Sequence, residues 1–157
     1  MRYTNQVIIE IDQSGKVENT SKDTVIALSS NKGLKRSIKI SAREKRKLQK
    51  FFRQLGKPRF YTHKVFSILI FLLIRRYASK LDRIVIDPEY PGYESLLRNL
   101  LSELLVNSSK EFEPSRIVFK RLGKRAQAHK VANTVFRKEA KPSMTVSSKD
   151  ILKIITK

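Results

Sequence analysis

The chain has 157 residues, with 34 Lys plus Arg against 14 Asp plus Glu, a formal charge of +20 and no cysteine. That length suits one domain with a proper core. The missing cysteine excludes a disulfide framework, thiolate zinc sites and a cysteine nucleophile, so a cytoplasmic protein is expected. Self-repulsion on this scale opposes compaction, and a polyanionic partner is its natural counterpart: nucleic acid first, an anionic membrane surface second. The longest apolar run, 65–74, falls well short of the ~20 residues that span a bilayer, and basic residues flank it. Residues 1–6 do not read as a signal peptide. A soluble protein without a membrane partner is expected.

In chain order, residues 7–12 form a β-rich run closed by Gln13-Ser14-Gly15-Lys16, a turn with Gly where positive φ is cheap. Residues 24–28 and 34–40 are two more strands, with Asn31-Lys32-Gly33 as the hairpin turn between them. Short turns make the three an antiparallel meander. Ser41-Ala42-Arg43-Glu44 has capping-box spacing and opens a strongly basic helix that runs to about Leu55. Its Arg43, Arg46, Lys47 and Lys50 are candidate phosphate contacts. A second helix, 63–79, is apolar nearly all round and should be buried against the sheet.

Residues 83–87 form the next strand. Pro88 has no amide hydrogen for a sheet ladder, so the strand should stop at Asp87 and leave a carboxylate at its C-terminal end. Open α/β sheets place their chemistry at that end. An amphipathic helix (93–106), a loop (107–114), a fifth strand (116–122), a turn (123–125) and a helix (126–139) follow. Residues 1–142 are assigned to one domain, and 143–157 to a basic tail or short helix (149–156). Lys120, Arg121, Lys124 and Arg125 lie just before His129 and are placed to guide a phosphate backbone.

The element order of residues 6–139 resembles the ribonuclease-H-like superfamily, and three local matches carry the likeness. Ile11-Asp12-Gln13-Ser14-Gly15 resembles that superfamily's first strand, which ends in Asp and a small polar turn. Asp87-Pro88-Glu89-Tyr90 is similar to the acidic end of its fourth strand. Ala128-His129-Lys130-Val131-Ala132-Asn133 resembles the start of its last helix. The resemblance implies an α/β fold with a mixed five-stranded sheet, an antiparallel meander plus parallel strands, and helices on both faces. It implies Asp12, Asp87 and His129 as metal ligands, an Asp-Asp-His set like that of Argonaute PIWI domains, with Glu89 as a possible fourth catalytic group. The activity it implies is hydrolysis of phosphodiester bonds in DNA, RNA or a hybrid with Mg²⁺ or Mn²⁺, an imidazole ligand tilting the preference toward Mn²⁺.

The chain departs from that pattern at Tyr61-Thr62-His63-Lys64, where many members carry a Glu at the start of the buried helix. Glu89 and Glu94 are the candidates to replace it, whereas the capping box accounts for Glu44. His63 reads more simply as a helix-start residue than as a ligand. Two readings are therefore carried: a metal-dependent nuclease, and a catalytically inactive nucleic-acid binder of the same fold. In the second, Asp12 only receives turn amides and His129 is an exposed helix residue. The carboxyls of Asp12 and Asp87 should lie within about 7 Å of each other in the first reading.

Overall fold

Alternation along the first strand decides what faces what. In β1 (Ile8–Ser14), Ile9, Ile11 and Gln13 share one face while Glu10 and Asp12 share the other. The computed structural model describes residues 5–108 and 111–156; residues 1–4, 109–110 within the expected 107–114 loop, and 157 lie outside it. β2 (Thr24–Ser30) and β3 (Lys35–Ile40) complete the antiparallel meander, with Ala27 opposite both Asp12 and Ser37. β4 (Arg83–Ile86) lies parallel to β1, and β5 (Ile117–Phe119) parallel to β4.

The sheet has six strands rather than the expected five, in the order β5-β4-β1-β2-β3-β6. The extra strand, β6 (Met144–Val146), comes from the segment expected to be a tail and runs parallel to β3. Reciprocal bonds pin its start: Ser143 Oγ accepts the Ser37 amide at 2.9 Å, and the Ser143 amide donates to Ser37 Oγ at 3.1 Å. Three residues after a proline are too short a run to show alternation. The terminal helix forms at α5 (Ser148–Ile155).

Four further α-helices are α1 (Ala42–Gln54), α2 (Tyr61–Ile74), α3 (Glu94–Ser108) and α4 (Gln127–Phe136). Every residue of α2 from 65 to 74 is buried, in one core with Ile9, Ile11, Ile26, Leu28, Ile38 and Ile40. Each fully buried aliphatic side chain there stabilises the fold by roughly 1.5–3 kcal/mol. α4 covers the opposite face, with Ala132 and Val135 on Val25 and Ala27. Small residues at Ala27, Ala128 and Ala132 let that helix approach the sheet closely, which matters for His129 between them. Gly15 has φ +78°, and a Cβ there would collide with the Asp23 carbonyl and the Phe136 ring, so the turn after β1 requires glycine. Among the described residues the architecture is an α/β fold with a mixed six-stranded sheet and five α-helices, compatible with a ribonuclease-H-like arrangement. No described helix is long and apolar enough to cross a membrane.

Two residues of α1 differ from expectation. Ser41 Oγ accepts the Glu44 amide at 3.2 Å, but the Glu44 carboxylate turns to Ser148, accepting its amide at 2.9 Å and its hydroxyl at 3.2 Å. It therefore ties α5 to α1, and the reciprocal capping box is found instead at Ser147 and Asp150 of α5. Lys45 is fully buried. Its Nζ donates to the carbonyls of Lys16 (3.2 Å) and Asn19 (2.7 Å) and to Thr24 Oγ1 (2.9 Å). Burial lowers its pKa to about 8, against the pull of Asp23 and Glu18, so at pH 7 it is the ammonium that clamps the loop between β1 and β2. Lys45→Met should leave buried acceptors without partners and cost about 1–3 kcal/mol. A urea midpoint at pH 7 measures this; an unchanged midpoint would show that the clamp contributes nothing.

Candidate metal centre

The parallel pairing of β1 and β4 sets the site. Ile11 lies opposite Ile86, so the next residues, Asp12, still paired with Ala27 of β2, and Asp87, just past the end of β4, stand side by side. The Asp87 amide still donates to the Ile11 carbonyl at 3.0 Å, extending the ladder one step before Pro88 ends it. The Glu89 amide then donates to the Asp87 carbonyl at 2.9 Å, a tight turn that brings the third carboxylate back. One carboxylate oxygen from each of Asp12, Asp87 and Glu89 lies within 4.8 Å of the others, an arrangement able to hold a metal ion. Asp12 and Asp87 are thus inside the separation expected for a shared cation.

Neighbouring groups fix these carboxyls. Asp12 Oδ1 accepts the Gln13 amide at 2.8 Å, and Oδ2 lies 2.8 Å from His129 Nδ1. Asp87 Oδ1 accepts the Leu122 amide at 2.9 Å, which ties the β5 exit to the β4 end. Asp12 is therefore a turn acceptor through one oxygen only. Burial raises the Glu89 pKa to about 8, helped by its hydrogen bond to Asp12 and by the charges of Asp12 and Asp87. A metal-free Glu89 carries a proton at neutral pH. A divalent cation supplies the charge that would displace it, so this donor set fits a hard cation.

Asp12, Asp87, Glu89 and His129 line one cavity of about 250 Å³, with Gln13, Arg121, Gly123 and Lys124 completing its wall. His129 is bonded to Asp12 beside the three-carboxylate set. Arg121 also borders a neighbouring groove with Lys120 and Arg98, and Arg125 is exposed. Glu94 lines that groove rather than the cavity. His63 stands apart, stacked on Tyr93 at 4.2 Å and edge-on to Tyr90 at 5.5 Å, its pKa lowered by burial. On α1, Arg43 and Lys50 are exposed, Lys47 pairs with Glu44 at 2.7 Å, and Arg46 donates to the Thr20 carbonyl at 2.8 Å.

Sequence reasoning passed over Gln13, Tyr90 and Arg98. Gln13 is buried beside Asp12, its Nε2 without a hydrogen-bond partner among the described residues, and its Oε1 lies 3.4 Å from the Tyr90 hydroxyl. Alternation along β1 was the available signal, because it places Gln13 on the apolar face of Ile9 and Ile11. Arg98 donates from Nε to the Ile117 carbonyl at 3.2 Å and lies 5.5 Å from the Phe119 ring centre. No protein-family model matches the chain, and no curated protein matches its sequence.

Proposed function

We propose that this protein is a nucleic-acid-binding, divalent-metal-dependent nuclease of the ribonuclease-H-like class that hydrolyses phosphodiester bonds. One observation carries the reading: three carboxylates from β1 and the β4 exit converge at one end of a parallel strand pair, beside Arg121 and Lys124, on a +20 chain. Asp12, Asp87 and Glu89 would hold Mg²⁺ or Mn²⁺, both suited to oxygen donors. Divalent ions supply a hydroxide nucleophile near neutral pH and charge stabilisation of the leaving oxygen. His129 orients the Asp12 carboxylate through Nδ1, and Arg121 and Lys124 place the phosphate backbone against the cavity.

The test uses end-labelled DNA, RNA and hybrid substrates with Mn²⁺ or Mg²⁺, alongside thermal melts with each ion. Cleavage of at least one substrate and stabilisation by the ion are expected. No cleavage of any substrate together with no thermal response would leave a basic nucleic-acid binder without catalysis.

The α1 face is tested separately. Arg43→Ala with Lys50→Ala should weaken binding equally for all sequences and flatten the salt dependence by about 0.9 log unit per lost phosphate contact. An unaltered slope would mean that α1 faces away from the nucleic acid.

A further inference from the structure

Exposed large apolar side chains are scarce among the described residues, and four of the five gather around one groove. Leu55 (53% exposed), Phe60 (55%) and Leu96 (37%) line it, and Tyr93 (49%) stacks on His63 in its wall. The groove runs between the turn at 58–60, the start of α2, and α3, with a cavity of about 290 Å³. An exposed apolar patch of this kind marks a binding surface. Among the described residues its charged wall residues are Lys57 and Lys64, and no carboxylate lines it. Lys57 Nζ lies 5.8 Å from the Phe60 ring centre.

We propose that this groove is a stacking subsite for unpaired bases, so that the preferred substrate is a nucleic acid with a single-stranded segment next to the bond cut at the carboxylates. The inference rests on the nucleic-acid reading above and narrows it. Unpaired bases offer apolar π-faces with a phosphate beside each, which matches half-exposed aromatic rings interleaved with lysines. Paired bases hide those faces in the duplex stack. A second copy of this chain is the poorer occupant, because it would set another +20 surface against Lys57 and Lys64.

The location supports the same occupant. Tyr90 and Tyr93 follow Asp87 and Glu89 on one short connection, so the platform begins where the carboxylates end. The Tyr90 hydroxyl bonds Glu18 Oε1 at 3.0 Å and stands by Gln13, while its ring meets His63 and Phe66 edge-on. Those contacts tether the connection that carries Tyr93 onto His63.

Fluorescence anisotropy without divalent metal tests this, comparing a blunt duplex with the same duplex carrying a single-stranded flank that contains 2-aminopurine. Wild type should bind the flanked form roughly tenfold more tightly and quench the 2-aminopurine, in keeping with the size of base–aromatic stacking. Phe60→Ala with Tyr93→Ala should bring the flanked-to-blunt ratio to near one, whereas Phe60→Tyr with Tyr93→Phe should keep it. Because both rings are about half exposed, the alanine variant should fold, and its melting temperature checks that. A ratio near one in wild type, or one unmoved by the alanine pair, overturns the stacking subsite while leaving duplex binding intact. So does light scattering that finds a wild-type dimer dissociated by the alanine pair, which would make the groove a protein interface. If neither nucleic acid binds at any salt, the nucleic-acid reading falls as well.

Discussion

Asp12→Asn and Asp87→Asn are each expected to abolish the thermal stabilisation by Mn²⁺ and to slow strand cleavage about a thousandfold or more. Charge stabilisation by a metal amounts to several kcal/mol, and about 1.4 kcal/mol is a factor of ten in rate. The metal-free fold should survive both changes. An Asn oxygen can still accept the Gln13 amide that Asp12 Oδ1 takes, or the Leu122 amide that Asp87 Oδ1 takes. Each substitution also removes one of the two like charges that Asp12 and Asp87 bring to one site, so metal-free stability should hold or rise. Urea unfolding in chelator, Mn²⁺ melts and single-turnover cleavage measure the three effects. Variants that lose a few kcal/mol in chelator but keep their response to Mn²⁺ would show these carboxylates to be turn acceptors. His129→Ala should be the milder change. It removes a side chain that touches Asp12 at 2.8 Å and leaves Asp12, Asp87 and Glu89 in place.

Much of the fold could be read from short runs with hard stops. β1 and β4 are bounded by a Ser-Gly turn and by Pro88, with an acidic residue two short of the end of β1 and one just past β4, so the end of the sheet and two of its carboxylates were legible. β6 was not, because it is made by pairing with β3 rather than by its own pattern. Lys45 reads as one more cation on a basic helix, yet it is fully buried. The signal was present: Lys45 precedes Leu48 and Phe52 by three and seven residues, which puts it on the apolar stripe. Glu44 shows the opposite failure, since its spacing predicts a local cap while its carboxylate serves Ser148, more than a hundred residues away. Local pattern names the residues that can bond, but only packing decides which partner arrives. For the same reason Glu89 was legible as an extra carboxylate, while its proton was not, because the proton depends on burial and on the Asp12 and Asp87 charges.

That proton gives the last expected result, a pH dependence of the metal-free protein that Glu89→Gln removes. Glu89 titrates near 4.5 when the chain is unfolded and near 8 in the fold. Between those values the folded state holds more protons than the unfolded one, so this group's contribution to stability falls as pH rises. It is fully present below about pH 4.5 and lost by the time pH passes 8. The loss should be on the order of 1–3 kcal/mol, after allowance for the partial solvent contact of the carboxyl. Glutamine cannot ionise and can still donate to Asp12, so Glu89→Gln should hold its stability across that window and exceed wild type at pH 8 and above. The difference between the two proteins is the quantity to follow, since contributions common to both largely cancel in it. Mn²⁺ should restore wild-type stability at pH 8, with an affinity that climbs from pH 6 to 8 as less of Glu89 remains protonated. The variant should bind the ion weakly and with a shallower pH dependence. Parallel stability curves for wild type and variant in chelator would place Glu89 in solvent, away from Asp12 and Asp87, and would remove the third carboxylate from the metal centre.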